Sequence, residues 1–423
     1  MSTIHDYLNR LRIIDGHEHL ATPQIRQREN HDFFRLMHYL DSDMITAGME
    51  RGALSGRGIS DEEKATVFLK YWERTSNTTY ARMLRTAMKD LYGFDDWTVQ
   101  GILDVNEKVK AATHDPDWYE KVLSDKSGID LAFTLIQTTN LGYERFRPIL
   151  FLDFTFKLRT WKDIREVLNN AGMNAHSLSG YLDAVDALLH RYKREGMVAT
   201  KLGHAYWRSL ACSKPTFQEA EAVFNRLMGC TLEDGLSQLE TVPLQDYLIH
   251  FIIQRSIAYE LPIQIHTGHH ETSVSSNGNI LPHSNVALLL PLLAEYEEAD
   301  FVLLHCGFPY HSQYLSIVKN YPNVYADFTW IYVISPTAGK QILHQMIEMV
   351  PQTKIQGFGG DYNHIEGTYA HLKLTRNLVA DVLTEKVQEG ALTEKEALTF
   401  ADRIFRDNLI DLYKLDPKDF PKR

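Results

Sequence analysis

The sequence predicts a (β/α)8 barrel, the TIM-barrel architecture, with a helical insertion after its first strand. Three observations predict it. Eight short apolar runs each stop at a polar or glycine-containing cluster. Segments of helical patterning separate most of them, and strands alternating with helices imply a parallel sheet of barrel count. A stretch from about 21 to 128 shows helical patterning and no strand-like run.

The elements follow in order. RIIDGHEH (12–19) is the first strand, apolar at Ile13 and Ile14 before it runs into Asp15, His17, Glu18 and His19. The insertion follows, with DFFRLMHYLDSDMITAGM, DEEKATVFLKYWERT and TYARMLRTAMKDLYGF as its helical segments. Residues 1–20 and 129–423 then form the barrel and 21–128 the insertion. Inserted elements after a barrel strand sit on its C-terminal face. LAFTLI (131–136) and RPILFLD (147–153) come next. Their link is too short for a full crossover helix, which argues against one of the two as a barrel strand. MVATKLG (197–203), PIQIHTG (262–268), FVLLHCG (301–307), NVYADF (323–328) and KIQGFGGD (354–361) complete the set. Leu244, Leu248, Phe251 and Ile252 give an apolar helical stripe before the fifth strand. Thr393 and Glu396 form a capping box, with Gly390 stopping the preceding helix.

Composition narrows the class. The chain has 423 residues, 44% hydrophobic and 23% charged, which suits a soluble protein with a sizeable core. Its net charge of −11, without a Lys/Arg block, argues against nucleic acid as a partner. Cys212, Cys230 and Cys306 form no CxxC pair and no disulfide framework, so a reducing compartment is expected. VALLLPLLA is short and broken by Pro291, and the first residues lack an apolar leader. The expectation is a soluble cytoplasmic protein acting on a small-molecule substrate, with no membrane partner and self-association left open.

The chemistry lies at the strand ends. A single HxH pair is weak, since chance gives roughly one in a chain this rich in histidine. Its place matters more. Side chains alternate along a strand, so His17 and His19 share a face at the barrel mouth. Four other runs deliver His266, His305, Asp361 and Lys201 to their own C-terminal ends. Charged groups are rarely buried without partners, so one shared purpose explains them better than four accidents. His and Asp donors suit zinc or a similar divalent ion, with an open position for water. Asp361 beside that water can accept its proton. Softer candidates are Arg208 as a carboxylate clamp or an ordinary ion-pair residue, and Arg85 as a substrate contact from the insertion. One of His269 and His270 can face the pocket. Glu18 points away and is structural.

DGHEH, Lys201, His266, His305 and Asp361 together resemble the amidohydrolase superfamily. FVLLHCGFPY, NVYADFTW, GFGGDY and RDNLIDLY resemble its amidohydrolase family 2 branch, and the likeness spans most of 11 to 415. The large insertion is similar to that of uronate isomerases. The resemblance implies metal binding by His17, His19, His266 and Asp361. It gives His305 a second metal, or hydrogen bonds to water and substrate. Relatives with one metal often lack the strand-four lysine, so the resemblance leaves one or two ions open: two bridged by a Lys201 carbamate, or Lys201 as a neutral amine. The expected reaction is hydrolysis of an amide, lactone or related carbonyl bond, with Asp361 and His305 catalytic. Non-oxidative decarboxylation and uronate-type isomerisation use the same set. A metal-dependent binding protein is the non-enzymatic alternative, against which the intact ligand set argues.

Overall fold

The computed structural model describes residues 3–56, 58–135, 141–231, 234–271 and 280–421. Eight parallel strands pair in sequence order: β1 (Ile13–Glu18), β2 (Ile129–Leu135), β3 (Phe146–Phe151), β4 (Ala199–Leu202), β5 (Ile263–Ile265), β6 (Phe301–Leu303), β7 (Val324–Asp327) and β8 (Ile355–Gln356). Three backbone bonds close the seam between β1 and the segment after β8. Gly16 N donates to Phe358 O, Asp361 N to His17 O and His19 N to Tyr362 O, each at 3.1 Å. Both β2 and β3 are barrel strands, contrary to the expectation that one would fail. These neighbours pair directly in parallel, and their short link contains no helix among the described residues.

Strand alternation divides the core. Phe301, Leu303, Ile263 and Ile265 pack outward against the surrounding helices, in the largest apolar cluster. Leu131, Phe133, Ile149, Ala199, Val302 and Leu304 fill the barrel interior together with Leu409 and Tyr413. Every residue of β1 and β2 is buried, as expected of parallel strands covered on both faces. The register of β1 against β2 shifts between Ile13 and Ile14 and again between Asp15 and Glu18. Simple alternation is therefore interrupted where the two histidines emerge.

Between β1 and β2 the described chain holds helices only, including Pro23–Arg28, Tyr39–Thr46, Asp61–Thr75, Thr79–Tyr92 and Val99–Thr113. Their starts follow from sequence: Ser60 with Glu63 forms a capping box, and Thr78 and Thr98 cap the next two. Their apolar faces form a second cluster, with Phe33, Phe68, Trp72 and Met88, that closes onto Trp330, Tyr362 and Leu374 of the barrel. Leu244, Leu248 and Ile252 are buried on Gln238–Ala258, and the Thr393–Glu396 box opens Glu394–Asp402. Among the described residues no helix is long and apolar enough to cross a membrane.

Candidate metal centre

His17, His19 and Asp361 converge at the mouth. One ligand atom from each lies within 4.8 Å of the others. His19 Nε2 is 3.1 Å and His17 Nε2 3.4 Å from Asp361 Oδ1. The seam bonds place Asp361 beside β1, and its own backbone stands at φ 60, in the left-handed region rarely taken by non-glycine residues. The glycines before it allow that approach, since a Cβ on Gly360 would lie 1.8 Å from Glu18 Oε1.

The tautomer of His17 follows from its neighbour. Gln264 spends its amide N–H groups on Gly16 O and Tyr413 Oη, both at 3.0 Å, so its Oε1 accepts from His17 Nδ1 at 2.6 Å. The remaining nitrogen, Nε2, is buried without a hydrogen-bond partner. Burial, then the Lys201 charge, holds His17 well below its ordinary pKa, which keeps it neutral. A neutral imidazole fixed at one nitrogen, with its other lone pair facing a carboxylate, fits a metal ligand. Burial pushes Asp361 upward, but the His19 hydrogen bond and the field of the surrounding histidines outweigh it and hold the carboxyl well below the usual range.

His266 and His305 pair with each other, His266 Nδ1 and His305 Nε2 lying 2.9 Å apart. His305 Nδ1 faces Thr329 O at 3.1 Å, and His266 Nε2 faces His269 O at 3.0 Å. Carbonyls only accept, so each ring spends its N–H there. Two lone pairs then face each other, while Tyr206 O–H also donates to His266 Nδ1 at 2.8 Å. Burial first depresses both histidines, His305 to about 4. A shared proton or a cation relieves this arrangement, which is a second reason that the donor set fits a metal.

Lys201 is buried and its Nζ has no hydrogen-bond partner. Burial lowers its pKa to about 8, against the opposing pull of Asp361, Asp327 and Asp153. Asp327 is pushed up to about 7 and Asp153 to about 6, burial being the chief cause for both. Sequence reasoning missed these two acids, although both lie at the ends of apolar runs already read as strands. Glu18 accepts from Tyr362 N at 2.8 Å and Thr368 Oγ1 at 2.6 Å, bracing the turn that carries Asp361.

The two arginines are placed otherwise than expected for substrate contacts. Arg208 is buried, its Nη2 on Asp246 at 2.6 Å and its Nη1 on Gln245 at 3.2 Å, so its donors are committed within the protein. Arg85 lies over the Trp72 ring and donates to Ser76 O at 3.3 Å. Neither lines the cavity above His19 and Asp361, whose volume is about 840 Å³. His19, Asp361 and His266 do, as do Tyr39 of the insertion and Trp330. Tyr39 Oη donates to Asp361 O at 2.6 Å and also approaches its Oδ2 at 3.0 Å. No sequence signal separated Tyr39 from the insertion's packing aromatics, because its role depends on reaching Asp361 from 322 residues away.

An amidohydrolase family model matches residues 237–415. Protein fluG of Emericella nidulans is 32% identical over 187 residues, which cover 42% of this chain. The match spans about a fifth (21%) of that relative's own length. Glucuronate isomerase from Caulobacter crescentus superposes with a TM-score of 0.81 at 18% identity, covering 99% of this chain and 95% of that one. Uronate isomerase from Thermotoga maritima gives 0.79 at 17% identity, covering 97% and 96%. The family match covers the C-terminal part of the chain, and the two isomerases share its fold, which fits the amidohydrolase superfamily with a uronate isomerase resemblance in fold.

Proposed function

We propose that this chain is a metal-dependent hydrolase that cleaves an amide, lactone or related carbonyl bond of a small molecule. The observation that carries this reading is the His17–His19–Asp361 group, of which His19 and Asp361 line a cavity large enough for a small molecule. These three residues would hold a divalent ion, zinc by donor type, and His266 and His305 a second, with Lys201 neutral or carbamylated beside them. Such an ion supplies Lewis acidity toward a carbonyl oxygen and activates water.

The chain's own residues supply the rest. Asp361 Oδ1 faces the histidines, which leaves Oδ2 to accept a proton from the attacking water and return it to the leaving group. Tyr39 Oη is shared between the Asp361 carbonyl at 2.6 Å and Oδ2 at 3.0 Å, so the phenol orients this residue and Oδ2 takes the proton on its other lone pair. The insertion roofs the cavity with Tyr39 and so helps exclude bulk water. The free thiols of Cys212, Cys230 and Cys306 suit a reducing, cytoplasmic setting.

Metal analysis followed by a screen of N-acyl amides, lactones, uronates and hydroxybenzoates tests the proposal. Hydrolysis of an amide or lactone is expected. Ketose formation from a uronate, or CO2 release from a hydroxybenzoate, in place of hydrolysis overturns it. Asp361→Asn should lower turnover per bound metal ion by about 10²-fold or more, and an unchanged value removes Asp361 as the base.

A further inference from the structure

The wall of the cavity carries information that hydrolysis alone does not use. Tyr39, Phe151, Phe154, Tyr206 and Trp207 line it, each half-buried, and Trp330 joins them. Trp330 stacks on Tyr39 at 4.8 Å and on His269 at 5.5 Å, so one wall is a fixed flat surface. Tyr206 packs edge-on to Phe151 at 6.4 Å on another. Six aromatic rings around one concave space favour a flat apolar guest.

The polar groups narrow it further. Among the described lining residues there is no arginine, and the one lysine, Lys157, is exposed and lies over Trp207 at 5.3 Å. Asp153 is already bonded to Gly203 N at 2.8 Å and Trp207 Nε1 at 2.7 Å. Glu271 accepts from Tyr80 Oη at 2.8 Å. A sugar acid brings a carboxylate and several hydroxyls, each needing a partner once desolvated. Among the described lining residues the buried groups without a hydrogen-bond partner are His38 Nδ1, the Trp330 indole N–H and His270. Of these, His270 is the one beside Tyr206 and His266. It is 2% exposed, neither ring nitrogen has a hydrogen-bond partner, and it sits 5.6 Å from the Tyr206 ring and 5.7 Å from that of His266. A buried imidazole left unpaired is costly, and a ligand group that meets it removes the cost.

We infer that the site takes a flat aromatic substrate, its ring against the Trp330 and Tyr206 walls and a hydroxyl or carbonyl group on His270. The inference deepens the hydrolase reading by naming a substrate class and rests on that reading only for the bond cleaved. Binding is therefore measured apart from turnover, on the metal-loaded protein, by tryptophan emission and calorimetry. The probes are acetanilide, N-cyclohexylacetamide, 4-hydroxyacetanilide and glucuronate.

Acetanilide should bind severalfold to about tenfold more tightly than its cyclohexyl counterpart, the worth of ring–ring contact beyond area. 4-Hydroxyacetanilide should bind more tightly still, and glucuronate should not displace it. His270→Phe should bring the ratio between hydroxylated and plain anilide close to one. His270→Gln, which restores a donor and an acceptor, should recover part of it and serves if the first variant misfolds on melting analysis. Equal affinity for flat and puckered rings, no binding of any aryl probe, or displacement by glucuronate overturns the aromatic class. An unchanged ratio in both variants overturns the role of His270. Aryl probes that bind without release of an aniline leave this inference standing and count against the proposed amide hydrolysis.

Discussion

His17 shows how one side chain acquires a chemical role from its surroundings. Gln264 occupies one ring nitrogen and burial keeps the ring neutral, so the other nitrogen is a fixed lone pair beside Asp361. The double variant His17→Ala/His19→Ala should lose its bound metal by elemental analysis while retaining its far-UV spectrum, because both histidines lie at the barrel mouth, outside the layers that pack a barrel interior. Full metal occupancy in that variant contradicts the ligand assignment. His204 carries a different consequence. It is fully buried with both ring nitrogens unpaired, and burial, then the charge of Arg208, pushes its pKa down to about 3. Its folded pKa lies below the unfolded value of 6.5. The unfolded chain therefore binds this proton first as pH falls, and stability is lost progressively between about pH 6.5 and 3. His204→Phe removes that loss. Its stability relative to the parent protein should rise as pH drops through this window, measured by denaturant unfolding at a series of pH values. A difference independent of pH would contradict it.

At the scale of elements, one buried carboxylate ties the insertion to the barrel. Glu366, on Ile365–Gln388, accepts from Arg26 Nη1 and Nη2 at 2.9 and 2.8 Å. Tyr92 Oη at 2.6 Å and Trp118 Nε1 at 3.0 Å donate to the same group, and Arg26 Nε reaches Thr113 at 3.1 Å. Three insertion helices thus meet one barrel helix at a single ion pair. Removing one partner strands a buried charge, which costs about 3–5 kcal/mol. Arg26→Leu and Glu366→Leu should each destabilise the protein by about that amount, and the double variant by clearly less than their sum. Additive losses in thermal or denaturant melts would mean that the two groups are not coupled.

Across the whole molecule, the proposed metal ligands lie on both sides of the seam where the barrel closes. His17 and His19 belong to the first strand and its end, and Asp361 follows the eighth. An ion held by all three adds a cross-link between chain segments more than 300 residues apart and binds only the folded state. Saturating zinc at 100 times its dissociation constant should stabilise the protein by about 2.7 kcal/mol, seen as a rise in melting temperature that a chelator reverses. A melting temperature indifferent to both zinc and chelator contradicts this linkage.

The barrel was legible in the sequence because strand runs, helix caps and the long strand-free segment are local patterns. The strand ends were legible as well, since His17, His19, Lys201, His266, His305 and Asp361 interrupt apolar runs where a core would reject them. The link between β2 and β3 misled because chain length alone does not show that two parallel neighbours can pair without an intervening helix. Arg208 and Arg85 offered no way to tell a substrate clamp from an ion pair or a cation–π contact, because a guanidinium's partner is chosen by packing. Sequence by itself determined which elements form and which donors reach the mouth. Tertiary structure alone decided that His17, His19 and Asp361 converge, that His266 and His305 meet ring to ring, that Tyr39 reaches Asp361 from the insertion, and that aromatic rings wall the cavity. Those facts depend on distances between residues far apart in the chain, set by how strands stagger and helices pack rather than by any local pattern.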